Sequence, residues 1–143
     1  MREQEKQTLR DGEETPEERE KRIAKAKAMM APKQYEERIA IMVCKKVTEG
    51  CPGSSCFWAF HEHFRSFAQY RDRPAKLWSF FHCGGCELCH EPGSGLDKKL
   101  SRLKEEGVYK VHLGVCIRNS CPQIEKICGI LDEYGLPWEI GTH

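Results

Sequence analysis

Three apolar runs of strand length are each followed at once, or within two residues, by a cysteine. Ile39-Ala40-Ile41-Met42-Val43 precedes Cys44, Leu77-Trp78-Ser79-Phe80-Phe81 precedes His82-Cys83, and Val108 to Val115 precedes Cys116. The first run has no polar alternation, so its strand must be buried on both faces, which is the condition of a parallel sheet covered by helices. A fourth short strand, Pro137-Trp138-Glu139-Ile140, is followed by Gly141-Thr142-His143.

The segments between the runs carry helical patterns. Phe57, Phe60, Phe64 and Phe67, with Trp58 beside them, predict one helix ending near Tyr70 with its aromatic stripe against the sheet. His61 and His63 are two apart, point to different sides of that helix and are expected at its surface. Lys45 to Ser55 and Glu91 to Gly95 are expected as loops. Leu96, Leu100 and Leu103 mark a second helix stopped by Gly107. Ser120-Cys121-Pro122-Gln123 has the features of a helix start, with Ile124, Ile127, Cys128 and Leu131 inward and Gly135 at the end. Strand and helix thus alternate through the chain. Right-handed crossovers turn that order into an α/β domain of three layers, with a four-stranded parallel sheet of flavodoxin-like order 2-1-3-4.

Residues 1–36 stand apart from this pattern. Thr15-Pro16-Glu17-Glu18 is a helix start, and a helix from about Pro16 to about Ala31 is expected, broken by Pro32. Its apolar stripe is weak, so it is taken as a solvated, charged extension, with docking to a protein partner as the sharper alternative. The domain over 37–143 is expected to fold without it. No apolar run approaches the roughly 20 residues a membrane helix needs, and the N-terminus lacks the apolar segment of a signal peptide. A formal charge of +1 gives no case for nucleic acid or an anionic membrane.

Nine cysteines, an odd number, in a chain without a signal peptide argue against a secreted disulfide framework and for a reducing cytoplasm. There, cysteines serve metal, redox chemistry or packing. The predicted topology decides where they lie. In a parallel sheet all strands end on one edge, so Cys44, Cys83, Cys116 and His143 come to one rim, with Cys44 and Cys116 at the reversal of strand order where open α/β sheets bind ligands. Cys51, Cys56, Cys86, Cys89 and Cys121 lie in loops or helix starts of the same rim. Cys56 and Cys121, expected in first turns of helices, sit where the dipole favours a thiolate. Cys128 alone falls within a helix, on the core face, and is expected to pack.

These residues also carry a family resemblance. Cys51-Pro52-Gly53 with Cys56-Phe57, Phe80-Phe81-His82-Cys83-Gly84-Gly85-Cys86, His112-Leu113 with Cys116-Ile117, Cys121-Pro122 and Gly141-Thr142-His143 together resemble the CGGC-domain family of small prokaryotic proteins. The resemblance runs from about Ile39 to His143 and implies a metal-binding domain, usually for zinc. The ligand candidates it implies are Cys44, Cys51, Cys56, Cys83, Cys86, Cys116, Cys121 and His143. Residues 1–36 have no counterpart in it, and the segment from Glu87 to Ser94 is longer than the family pattern, which leaves Cys89 and His90 outside the implied ligand set.

Three classes of function follow. A metal-binding module suits the donor set, with zinc first because thiolates and an imidazole are its ligands. An iron–sulfur cluster is the second choice, held by Cys83, Cys86 and Cys89 with Cys44 or Cys116 as a remote fourth ligand. The alternative is a thiol–disulfide redox enzyme using Cys83 and Cys86, whose spacing is that of a redox pair. A sensor, in which metal orders the rim and the N-terminal helix meets a partner, is the third. A phosphate-binding or phosphatase role at Cys51–Cys56 is weaker still, because the loop has neither the glycine-rich pattern with its lysine nor a following arginine.

Overall fold

The computed structural model describes residues 14–28, 37–86 and 89–143. The first helix, α1, spans Pro16–Ala28. It opens with a reciprocal capping box: Glu18 N donates to Thr15 Oγ1 and Thr15 N donates to Glu18 Oε1, each at 3.1 Å. The expected continuation to Ala31 lies outside the described residues.

Strands β1 (Glu37–Val43), β2 (Ala75–His82), β3 (Val108–Leu113) and β4 (Trp138–Ile140) form one parallel sheet in the order β2-β1-β3-β4. This is the topology the apolar runs imply. Alternation along β1 divides the core. Ile39, Ile41 and Val43 face one layer with Ala59, Phe60, Phe67 and Tyr70. Ala40, Met42 and Cys44 face the other, with Val111 and Leu113 of β3 and the inward faces of helices α4 (Gly95–Glu105) and α6 (Ile124–Tyr134). Each of Ile39 to Val43 is buried, because both faces of the central strand are covered.

Several local expectations are corrected. The segment from Lys45 to Ser55 is not all loop: the short helix α2 spans Lys45–Thr48. The aromatic stripe does not lie on one helix. Helix α3 spans Ser54–His61, the backbone breaks at His63 and Arg65 with φ of 56° and 54°, and a 3₁₀ helix covers Arg65–Tyr70. The break turns the stripe apart, so Phe60 and Phe67 are buried while Phe57 and Phe64 are exposed. His61 is exposed and His63 half-buried. Strand β3 stops at Leu113 instead of continuing to Val115, and helix α5 spans Val115–Ser120. Cys121 therefore closes α5 in extended backbone and does not open a helix; α6 starts after Gln123, with no side-chain cap.

Helix α1 is not a solvated extension. Ala26 is fully buried and Ile23 packs on the core shared by α4 and α6. Its arginines converge on Asp97, which has no exposed surface. A weak apolar stripe docks here because charge, not hydrophobic area, carries the contact. Among the described residues no helix is long and apolar enough to cross a membrane.

Candidate metal centre

The strand ends are level. Cys83 N donates to Val43 O at 3.0 Å, Gly114 N to Met42 O at 2.8 Å and Gly141 N to Leu113 O at 2.7 Å, so the ladder runs one residue past β2, β3 and β4 before each chain departs. The segments that carry Cys44, Cys83, Cys116 and His143 thus leave from one edge of the sheet.

Cys44 and Cys116 meet at the reversal of strand order. Cys44 N donates to Cys116 Sγ at 3.2 Å. Gly114 leaves room for this contact: a Cβ there would stand 3.2 Å from Cys116 Sγ and 3.3 Å from Met42 O, so a larger residue would require its neighbours to give by a few tenths of an ångström. Cys116 lies in the first turn of α5, half-buried. Burial raises its thiol above the ordinary value, against the hydrogen bond from Cys44 N, which lowers it.

The other rim sulfurs fall into two groups on either side of that contact, the second of which shares Cys116 with it. Cys83, buried just past β2, Cys86 and Cys89 follow one another through the turn built on Gly84 and Gly85, whose φ values are 95° and 118°. Cys121 joins them from the end of α5. Burial first, and then Cys83, Cys121 and Cys86, push the Cys89 thiol up to about 11. The Cys121 thiol is raised by burial first and then by Cys83, Cys86 and Cys44. The fourth sulfur beside Cys83, Cys86 and Cys89 is therefore Cys121, a residue the spacing of the cysteines alone does not couple to them. Cys89, outside the implied ligand set, is 2% exposed and belongs to this group. His90, the neighbour set aside with it, has a buried Nδ1 without a hydrogen-bond partner.

The second group is Cys51, Cys56 and Cys116. With His143 they line a cavity of about 310 Å³ whose apolar wall includes Val43, Val47 and Phe80. Cys56 lies in the first turn of α3 as the sequence predicts, but the helix dipole does not prevail there. Burial raises the thiol, against a 3.5 Å hydrogen bond to Thr142 Oγ1 that lowers it. Thr142 is fully buried and fixes the segment that carries the exposed His143.

Cys128 is half-buried on α6, against the core that contains Ile127 and Leu131. Burial raises its thiol, with smaller contributions from Asp132 and Cys121. All nine cysteines are free thiols. In the described conformation no three His, Cys, Asp or Glu side chains among the described residues converge closely enough to hold a metal ion. The sulfurs are neighbours in two groups but do not point to one centre.

The family model that matches the chain is that of the CGGC domain, over residues 38–143, most of the chain. The match begins at the second residue of β1 and leaves α1 outside it. No curated protein and no solved structure matches.

Proposed function

We propose, given that the chain belongs to the CGGC domain family, that the sulfur edge is a metal-binding centre formed chiefly by Cys83, Cys86 and Cys121 with Cys44 or Cys89. The observation that carries this reading is the meeting of two separate segments in one core, Cys83 and Cys89 buried together with Cys121 packed against them, and with Cys86 near enough to raise the thiols of Cys89 and Cys121. Protonated thiols crowded in a buried rim gain little from one another. A bound cation favours the thiolate forms and offsets the repulsion between them that otherwise keeps the thiols protonated. The donor set fits: thiolates with an available imidazole suit zinc, and Cys83, Cys86 and Cys89 with Cys121 also suit an iron–sulfur cluster. When bound, such a metal would hold the separate loops to one point, adding its binding energy to folding.

The chain's own residues prepare this. Gly84 and Gly85 let the turn close over Cys83 and Cys86, and the contact of Cys44 N with Cys116 Sγ ties β1 to α5 at the centre of the edge. Because the thiols do not yet converge, side chains on the Gly84–Gly85 turn must rotate inward on binding. Cys51, Cys56, Cys116 and His143 are the second donor group, around the neighbouring cavity.

The test is elemental analysis of anaerobically purified protein, with the visible spectrum, for the wild type and for Cys83→Ser, Cys86→Ser, Cys44→Ser and Cys116→Ser. Loss of metal together with a lower melting temperature in the Cys83 and Cys86 variants supports the reading. A colourless protein holding metal indicates zinc, a brown one iron–sulfur. Equal metal content in all four, with reduction of a model disulfide lost only on changing Cys83 or Cys86, would replace it with thiol–disulfide exchange.

A further inference from the structure

Helix α1 lies outside the family match, yet its arginines reach the turn that presents Cys89. The contacts run without a gap. The Cys89 carbonyl accepts from Ser94 Oγ at 3.3 Å, and Ser94 Oγ accepts from Asp97 N at 3.2 Å. Asp97 Oδ2 accepts from Gly93 N at 2.7 Å, from Arg19 Nε at 2.6 Å and from Arg22 Nη2 at 3.0 Å. Its Oδ1 accepts from Tyr134 Oη at 2.7 Å. Glu14 completes the arrangement: its carboxylate takes Arg22 Nε and Nη2 at 2.8 and 2.7 Å, and a Cβ on Gly93 would stand 3.1 Å from Glu14 Cβ. Cys89, Ser94 and Asp97 are 2%, 1% and 0% exposed.

One carboxylate therefore does two things. It receives both guanidinium groups of α1, and it holds the backbone of the turn that leads out of Cys89. Burial alone would push the Asp97 carboxyl up; its hydrogen bonds from Arg19, Gly93, Tyr134 and Arg22 bring it below its ordinary value, so it stays ionised. Without α1 the charge is left buried and uncompensated. It must then take up water or a proton, and either change costs the turn its fixed acceptor. Residues 93 and 94 have no second carboxylate to hold them among the described contacts.

We propose that α1 is a clamp on the sulfur edge, in which Arg19 and Arg22 act through Asp97 as positioning residues for Cys89. Docked, α1 keeps Cys89 closed beside Cys83, Cys86 and Cys121. Undocked, it frees the turn and exposes the thiol. The effect on metal affinity rests on the metal-binding reading above; the effect on Cys89 itself does not.

The experiment uses the full chain, metal-free and reduced, with timed iodoacetamide alkylation read at each cysteine by peptide mass spectrometry. The proteins compared are the wild type, Arg19→Gln, Arg22→Gln and the double variant. Cys89 is expected to react at least about tenfold faster in the double variant, as local opening of the turn exposes it. Cys56, on the opposite face of the sheet, is expected to keep its wild-type rate. An unchanged Cys89 rate overturns the clamp. So does a Cys56 rate that rises in step with Cys89, because that reports general loosening. Zinc affinity, measured by chelator competition on the same proteins, is expected to fall in the double variant, and unchanged affinity would remove Cys89 positioning from metal binding. If the wild type takes up no metal, the metal-binding reading fails while the alkylation comparison still decides the clamp.

Discussion

The hydroxyl of Tyr70 lies 2.7 Å from Nε2 of His112, and neither side chain has exposed surface. On the other side of the imidazole, Nδ1 is 3.3 Å from the carbonyl oxygen of Gly141. A carbonyl only accepts, so Nδ1 carries the proton and Nε2 accepts from Tyr70. The neutral ring is thereby fixed between the 3₁₀ helix and the strand-end segment that leads to Thr142 and His143, with the Phe67 ring 4.6 Å away.

Burial lowers the His112 pKa from 6.5 to about 4. The unfolded chain then binds the proton more readily than the folded one, so stability is full above pH 6.5 and falls as pH drops through the interval down to about 4. The slope there is at most roughly 1.4 kcal/mol per pH unit. Urea midpoints at pH 7 and pH 5 are expected to differ for the wild type, and much less for His112→Gln. Equal differences would show that another group sets the acid limb.

Removing α1 is expected to destabilise the domain, in contrast to the independence the sequence pattern suggests. Loss of the partners of a buried charge costs roughly 3–5 kcal/mol, and Asp97 has two arginines to lose. Truncation of residues 1–28 should lower the urea midpoint at pH 7. Since the Asp97 carboxyl lies below its ordinary 3.8, this contribution is present above that value and fades as pH falls through the lowered one. The gap between the truncated and full chains should therefore narrow at strongly acid pH, leaving the packing of Ile23 and Ala26.

Gly53 and Gly50 offer a matched pair. Gly53 has φ of 79°, and a Cβ there would stand 2.7 Å from Phe80 Cζ, whereas nothing lies within 4 Å of one on Gly50. Gly53→Ala should cost about 1–3 kcal/mol through backbone strain and overpacking. Gly50→Ala should leave the thermal midpoint within a degree or two, on the order expected of a neutral surface change.

Cys128→Ala should cost about 1 kcal/mol, the low end for removing a small buried group, and keep its metal content by elemental analysis. Loss of metal on that change would move Cys128 from packing to the ligand set, beside Cys121.

The strand order and the shared edge were legible because the apolar run of β1 admits no solvent-facing side and because the cysteines follow the strands. The break at His63 was not. The phenylalanine spacing fits a continuous helix, and nothing local in His-Phe-Arg announces left-handed backbone at His63 and Arg65. Ser120-Cys121-Pro122-Gln123 differs for a related reason: a capping residue with an early proline and a glutamine has the pattern of a helix start, but Ser120 is here the last residue of α5, which leaves Cys121 between two helices. The docking of α1 escaped because periodicity reports hydrophobic area and is blind to a buried carboxylate 78 residues from Arg19. The grouping of Cys121 with Cys83, Cys86 and Cys89 likewise depends on a three-dimensional return that spacing does not encode.

The pairing of β1 with β3 also has a kinetic side. Cys44 and Cys116, joined at the centre of the edge, are 72 residues apart. A chain under synthesis carries Cys44 well before β3 exists to lie beside β1, and parallel pairings of this separation form late because the intervening loop must close first. Until that registration, the thiols are reactive groups along an open chain, and only sequence neighbours such as Cys83, Cys86 and Cys89 can pair locally. The edge is therefore expected to be completed late in folding, when β3 registers beside β1, and to open when β3 parts from β1. Agents that capture thiols should trap the protein at that step, and the rate of trapping should report the separation of those two strands.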